Sequence, residues 1–155
     1  MAEKYDMPIL YSCHPRSRNR LVASGFKLDS RVQVQQPLGF HDYNWLQMNA
    51  FAVVSDSGTL PEESSFYASI GKPISAVCIR TSTERPEAID KACFILSGID
   101  TKGLLQSVDL AVQMTKDGNH GIPVPSYTDD VSNKVVKIIQ SYVGVVNKMV
   151  WRKEI

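Results

Sequence analysis

The chain has 155 residues, 43% of them hydrophobic and 21% charged, with a formal net charge of +1. That is the length of one domain with apolar residues enough for its own core, and the composition is neither disordered nor fibrous. Near-neutrality excludes a surface built to hold nucleic acid or acidic membrane, and no apolar stretch approaches the roughly 20 residues that span a bilayer.

The N-terminus lacks an apolar signal core, so a cytoplasmic protein is expected. Residues 2–6 read as the end of a helix with no strand before it. A doubly wound domain opens with its central strand, so this domain is expected to lack its first strand. The first apolar run, 8–13, reads as a strand and ends at His14. Beyond strand ends ligands collect, so His14 either faces a site or is a satisfied structural histidine. Arg16, Arg18 and Arg20 follow as a solvated basic loop. A second strand is expected over 31–35.

Over residues 43–50, Tyr43, Leu46 and Ala50 fall on one helical face. Trp45 reads as core, and Tyr43 as a neighbour of a bound base. The run 51–55 is a third strand, followed by a turn containing Gly58 and a helix through Leu60, Ser64, Tyr67 and Ala68. Runs 74–79 and 93–96 complete five strands, with a helix through Leu104, Leu105, Val108, Ala111 and Val112 after the last. Residues 118–130 read as a surface loop, 131–146 as a helix, and the tail as its continuation or a segment packed on a neighbour.

Apolar strands alternating with helices predict an α/β domain, a three-layer Rossmann-like parallel sheet of about five strands. With the first strand absent, runs 8–13 and 51–55 are expected to flank a gap or a rearranged pairing. Such an open edge invites pairing with another chain, so a homo-oligomer is expected. Cys13, Cys78 and Cys93 are odd in number with no C-x-x-C spacing, so structural thiols are expected. His14, His41 and His120 are scattered. Neither a metal nor a cofactor is expected.

The chemistry concentrates at Ser55-Asp56-Ser57-Gly58-Thr59-Leu60-Pro61-Glu62-Glu63. A strand, a short turn and a helix start aim backbone N–H groups and a positive dipole at one point, where a phosphate fits. Thr59 and Glu62 have capping-box spacing, which gives Glu62 a structural task; Glu63 points elsewhere, either as a solvated helix glutamate favoured by the dipole or as an acceptor for ligand hydroxyls. Arg85, before Pro86, offers a planar cation for phosphate or an ion pair with Glu84 or Glu87.

Read together with Gly71-Lys72-Pro73 and Thr83-Glu84-Arg85-Pro86-Glu87-Ala88, this tract resembles the non-hydrolysing UDP-N-acetylglucosamine 2-epimerase family. The resemblance runs from about residue 14 to residue 136. Residues 39–50, and Thr59 in place of a second Gly, resemble the branch that makes UDP-N-acetyl-L-fucosamine from the L-talosamine sugar nucleotide for capsule or O-antigen. The resemblance implies the C-terminal half of a GT-B-like two-domain enzyme, with residues 1–155 forming the UDP-binding domain. It implies that Ser57, Gly58 and Thr59 hold the diphosphate, Glu63 binds the ribose, Arg85 contacts phosphate, and Leu38 and Tyr43 flank the uracil. The family inverts C2 by eliminating UDP and adding it back. The residues that move the C2 proton belong to an N-terminal domain and to a His upstream of this chain, so no catalytic residue is expected here. Two further readings are the nucleotide-sugar half of a GT-B glycosyltransferase and a non-catalytic assembly module.

Overall fold

The computed structural model describes residues 1–127 and 130–153. The elements, in order, are α1 (Ala2–Tyr5), β1 (Ile9–Ser12), α2 (Pro15–Ser24), β2 (Val32–Gln35) and α3 (Phe40–Asn49). Then come β3 (Val53–Ser55), α4 (Leu60–Ser69), β4 (Ala76–Cys78), α5 (Pro86–Asp90), β5 (Ile95–Leu96) and α6 (Thr101–Lys116). A 3-10 turn (Pro125–Tyr127) leads towards α7 (Val131–Met149). All five expected strands form, and every pairing between them is parallel.

The strands do not form one continuous sheet. β1 pairs with β2, and β3, β4 and β5 pair in that order, as two separate sheets. The break falls between β1 and β3, where the sequence predicts a gap. A slot of about 880 Å³ lies there, lined by Leu10 and Ser12 of β1 and by Ala52 and Val54 beside or within β3. In a parallel ladder, successive residues turn their main-chain groups to opposite sides. Ile9 and Cys13 donate to Arg31 and Gln35, so Leu10 and Ser12 turn towards the slot. Val53 donates to Ser75 and Ser55 accepts from Ile79, so Val54 turns towards it from the other side.

The three-stranded sheet carries the core on both faces. Ala76 and Cys78 of β4 point to Leu60 and Tyr67 of α4 and Ala88 of α5. Val77, on the opposite face, packs with Val108, Ala111 and Val112 of α6, and Met1 and Tyr5 join them. This alternation is the period-2 pattern of a strand covered on both sides, and it makes three layers. α1 is pinned to α6, with the Tyr5 hydroxyl donating to Asp109 at 2.9 Å and Lys4 paired with the same carboxylate. α4 stops where Gly71 adopts φ 71°, which lets the Lys72 N–H reach Tyr67 O at 2.9 Å. α6 starts on Asp100, whose side chain accepts from the Gly103 N–H at 2.7 Å.

Two expectations fail. Trp45 is 61% exposed and not core, because α3 turns Gln47 and Met48 inward and position 45 lies about 200° around the helix from Gln47. The 118–130 segment is not wholly a surface loop. Val124 is 4% exposed, and its N–H donates to Ser65 Oγ at 2.7 Å. Gly121 makes that descent possible, since a Cβ there would meet Ala92 O at 2.4 Å. Thr128 and Asp129 of this loop, and the last two residues of the tail, lie outside the described residues. α7 carries the expected helical pattern to Met149, but no residue in it is buried. Cys13, Cys78 and Cys93 are buried free thiols.

Candidate functional site

β3 and β4 end side by side, with Ser55 in register with Cys78. Two residues beyond each end stand Ser57 and Arg80. The Ser57–Thr59 turn then delivers the chain into α4, where Leu60 and Glu62 carry first-turn N–H groups; Pro61 has none, and that of Glu63 donates to Thr59 O at 2.9 Å. A Cβ on Gly58 would lie 3.5 Å from Arg80 Nη1 and 3.9 Å from Glu84 Oε2. The absence of a side chain at Gly58 therefore keeps open the space between the turn and a guanidinium. Arg80 is held in place by Glu84 through two hydrogen bonds of 2.9 Å, which keep the Glu84 carboxyl below its ordinary range.

Arg85 stands elsewhere. Its Nε donates to Glu62 Oε1 at 2.6 Å, and its backbone N–H to Thr83 Oγ1 at 3.1 Å. Its ion-pair partner is thus Glu62 rather than Glu84 or Glu87, although its Nη1 also donates to the Glu84 carbonyl at 3.3 Å. Glu87 instead accepts from the Tyr127 hydroxyl at 2.6 Å, which lowers the Glu87 carboxyl; burial and that bond push the Tyr127 phenol up.

The capping box read at Thr59 and Glu62 is absent. Thr59 is αR rather than extended, with φ −88° and ψ −15°, and its side chain makes no cap bond. Its hydroxyl instead donates to Glu63 Oε1 at 2.7 Å, one turn on. Thr59 Oγ1 also lies 2.8 Å from Ser57 Oγ. Since the Thr59 proton is committed to Glu63, the Ser57 hydroxyl is the donor in that pair. Ser57 Oγ in turn accepts from the Thr59 N–H at 3.2 Å.

Glu63 is gripped from the other side by α3. Gln47 Nε2 donates to Glu63 Oε2 at 2.7 Å, and Gln47 Oε1 accepts from the Tyr67 hydroxyl at 2.8 Å. Asn44 Oδ1 also contacts that hydroxyl. Burial and the charge of Glu63 push the Tyr67 phenol up to about 12, so it stays a donor throughout the neutral range. Tyr43, half-buried at the start of α3, is pushed up by the same two causes. Tyr43 and Leu38 line the slot between the sheets, beside Asp56. His14 lines it too, but its Nδ1 accepts from the Arg16 N–H at 3.3 Å and caps α2.

The structure thus brings Ser57, Gly58, Thr59 and Glu63 into one bonded cluster and sets Leu38 and Tyr43 together along the slot. It adds Arg80 and Gln47, which the sequence reading passed over. A signal for Arg80 existed: it follows its strand end by the same two residues as Ser57. Among the described residues, no group of three or more His, Cys, Asp and Glu side chains is placed to hold a metal ion. No helix is long and apolar enough to cross a membrane.

A family profile described as UDP-N-acetylglucosamine 2-epimerase matches residues 1–140. The chain is 30% identical over 132 residues to a UDP-N-acetylglucosamine 2-epimerase of Methanococcus maripaludis, an alignment spanning 78% of this chain and 35% of that protein. It is 31% identical over 108 residues to the UDP-2,3-diacetamido-2,3-dideoxy-D-glucuronate 2-epimerase of Pseudomonas aeruginosa, covering 70% of this chain and 28% of that one. The fold superposes on the UDP-N-acetylglucosamine 2-epimerase of Rickettsia bellii with a TM-score of 0.74 and 34% identity, covering 98% of this chain and 41% of the other. The Methanocaldococcus jannaschii enzyme, solved with UDP-GlcNAc and UDP, gives a TM-score of 0.70 at 26% identity, covering 91% of this chain and 37% of the other. The chain spans about a third of the length of the relatives it matches. Over the region compared, it belongs to the UDP-N-acetylglucosamine 2-epimerase family.

Proposed function

We propose that this chain is the UDP-binding, C-terminal lobe of a UDP-N-acetylhexosamine 2-epimerase. The observation that carries the reading is the meeting, at one pair of strand ends, of a helix start, a side-chain-free Gly58, the Arg80 guanidinium and an oriented Glu63 carboxylate. Each part answers one part of UDP. The helix start and Ser57-Gly58-Thr59 receive the diphosphate, and Arg80 supplies the nearby positive charge. Arg85, engaged by Glu62 in the first turn of α4, is a second cation for phosphate. Glu63 accepts from the ribose hydroxyls, and Leu38 with Tyr43 flanks the uracil.

In this reading the lobe stabilises departing UDP, the electrostatic half of an elimination and re-addition at C2. The C2 proton transfer needs a base that none of these residues supplies, so it falls to groups outside this sequence. Residues 39–50 and Thr59 point within the family to the branch making UDP-N-acetyl-L-fucosamine. The cellular setting is cytoplasmic capsule or O-antigen synthesis, and the working form is a homo-oligomer. Calorimetric titration with UDP tests the site. Micromolar to millimolar binding by the wild-type chain, weakened in Arg80→Met, is expected; no binding at millimolar UDP would overturn the reading. With the sugar nucleotide, the chain alone is expected to give no epimerisation.

A further inference from the structure

We propose that Gln47 is a positioning residue that presents Glu63 to the ribose and so sets the site's preference for a hydroxylated sugar. This rests on the reading of Glu63 as the ribose ligand. A glutamate in the first turn of an exposed helix has three free torsions, and its carboxylate sweeps a wide arc. Here both oxygens are held. Oε1 accepts from Thr59 and Oε2 from Gln47, by bonds of 2.7 Å each. An ionised carboxylate has about four lone-pair directions, so two remain for two vicinal hydroxyls. Ordering the acceptor before the ligand arrives removes part of the cost of binding.

Gln47 can impose that order because it is itself immobile. It is 4% exposed, and its carbonyl oxygen shares the single proton of the Tyr67 hydroxyl with Asn44 Oδ1. Tyr67 is 2% exposed and is held in turn by Asn44. The chain of contacts runs from the core of α4 through α3 to one carboxylate. Thr59 closes it on the phosphate side, where its hydroxyl also engages Ser57. The methyl-bearing threonine thus couples the diphosphate turn to the ribose ligand, a link that a glycine at this position would lack.

The test compares UDP with 2′,3′-dideoxy-UDP by calorimetry on the wild-type chain, Gln47→Met, Gln47→Leu, Tyr67→Phe and Glu63→Ala. Methionine keeps the length and burial of Gln47 but cannot donate to Glu63. Gln47→Met is expected to weaken UDP by about tenfold, the scale of one lost pre-organising hydrogen bond. Its affinity for the dideoxy analogue should equal that of wild type. Tyr67→Phe is expected to shift the same ratio in the same direction by less, and Gln47→Leu serves if the methionine variant folds poorly. If Glu63→Ala loses UDP while both Gln47 variants keep wild-type affinity, the proposal fails and the site reading stands. An equal loss for UDP and the dideoxy analogue in the Gln47 variants would also overturn it, since that is a general structural effect. If Glu63→Ala binds UDP like wild type, the reading of the site falls and the proposal with it.

Discussion

β1 and β4 have similar apolar sequences, Ile-Leu-Tyr-Ser and Ala-Val-Cys, yet no residue of β1 is buried and every residue of β4 is. The strands differ in their neighbours. β4 has a strand on each edge, α4 on one face and α6 on the other. β1 has β2 on one edge and the slot on the other, and α2 beside it has no buried residue. Burial is thus a property of the arrangement rather than of the strand. The phosphate-side residues stand on the packed sheet, whereas Leu38 belongs to the segment leaving the loose one.

Core substitutions should separate the two sheets most sharply. Leu60→Ala, at a fully buried position, is expected to cost about 2–5 kcal/mol in urea denaturation. Leu10→Ala, 47% exposed on β1, should cost about 0.5 kcal/mol or less. Equal losses would mean that the slot is filled in solution.

Ligand affinity gives the next largest contrast. Arg80→Met should weaken UDP by about 10- to 100-fold, the scale of a lost charge-assisted hydrogen bond. Arg85→Met should weaken it less, because Arg80 and not Arg85 is the guanidinium beside Gly58. A larger loss at Arg85 would move the phosphate towards α5. Gly58→Val should cost about as much as Arg80→Met. Its Cβ meets Arg80 Nη1 at ordinary contact distance, so the branched methyls must displace the guanidinium or the ligand.

Glu62→Ala is a smaller perturbation. The pair with Arg85 is more than a third exposed on both sides, so about 0–1 kcal/mol of stability is expected from thermal melts, with UDP affinity little changed.

The smallest effect is in acid. Arg31 grips Asp29 by three hydrogen bonds and holds its carboxyl well below the usual range. A depressed carboxylate contributes stability that is complete above its unfolded pKa, about 4, and is lost as pH falls through the folded value. Amide exchange in β2 should therefore speed up below about pH 4 before exchange in β4 does. Simultaneous acceleration would show that the two sheets open as one unit.

The sequence disclosed the strands well, because each is a short apolar run between polar or glycine-bearing turns. It disclosed the break as well: runs 8–13 and 51–55 are the ones expected to flank a gap, and β1 and β3 do not pair. Side-chain partnerships were less legible. Thr59-x-x-Glu62 has capping spacing, but whether it caps depends on the Thr59 backbone angles, which spacing does not determine. Arg85 carries a distinctive motif and Arg80 none, yet Arg80 is the one beside Gly58. That proximity arises between adjacent strands, outside any local window. Gln47 received no role from the sequence, and its burial follows from the packing of α3 on α4.

Among the described residues, the chain passes between the two sheets at two places. One is the turn at Asp6, left-handed at φ 47°, that carries α1 into β1; the other is the stretch from Gln36 to Gly39 before α3. Two short crossings define a hinge axis. A rotation of the β1–β2 unit about it swings Leu10 and Ser12 across the slot past Leu38, which stands at the axis, while Ser57, Arg80 and Glu63 stay fixed to the packed sheet. In such a motion the two ends of a bound nucleotide would report differently: its phosphates would keep a constant distance from Arg80, and its base would feel the opening angle.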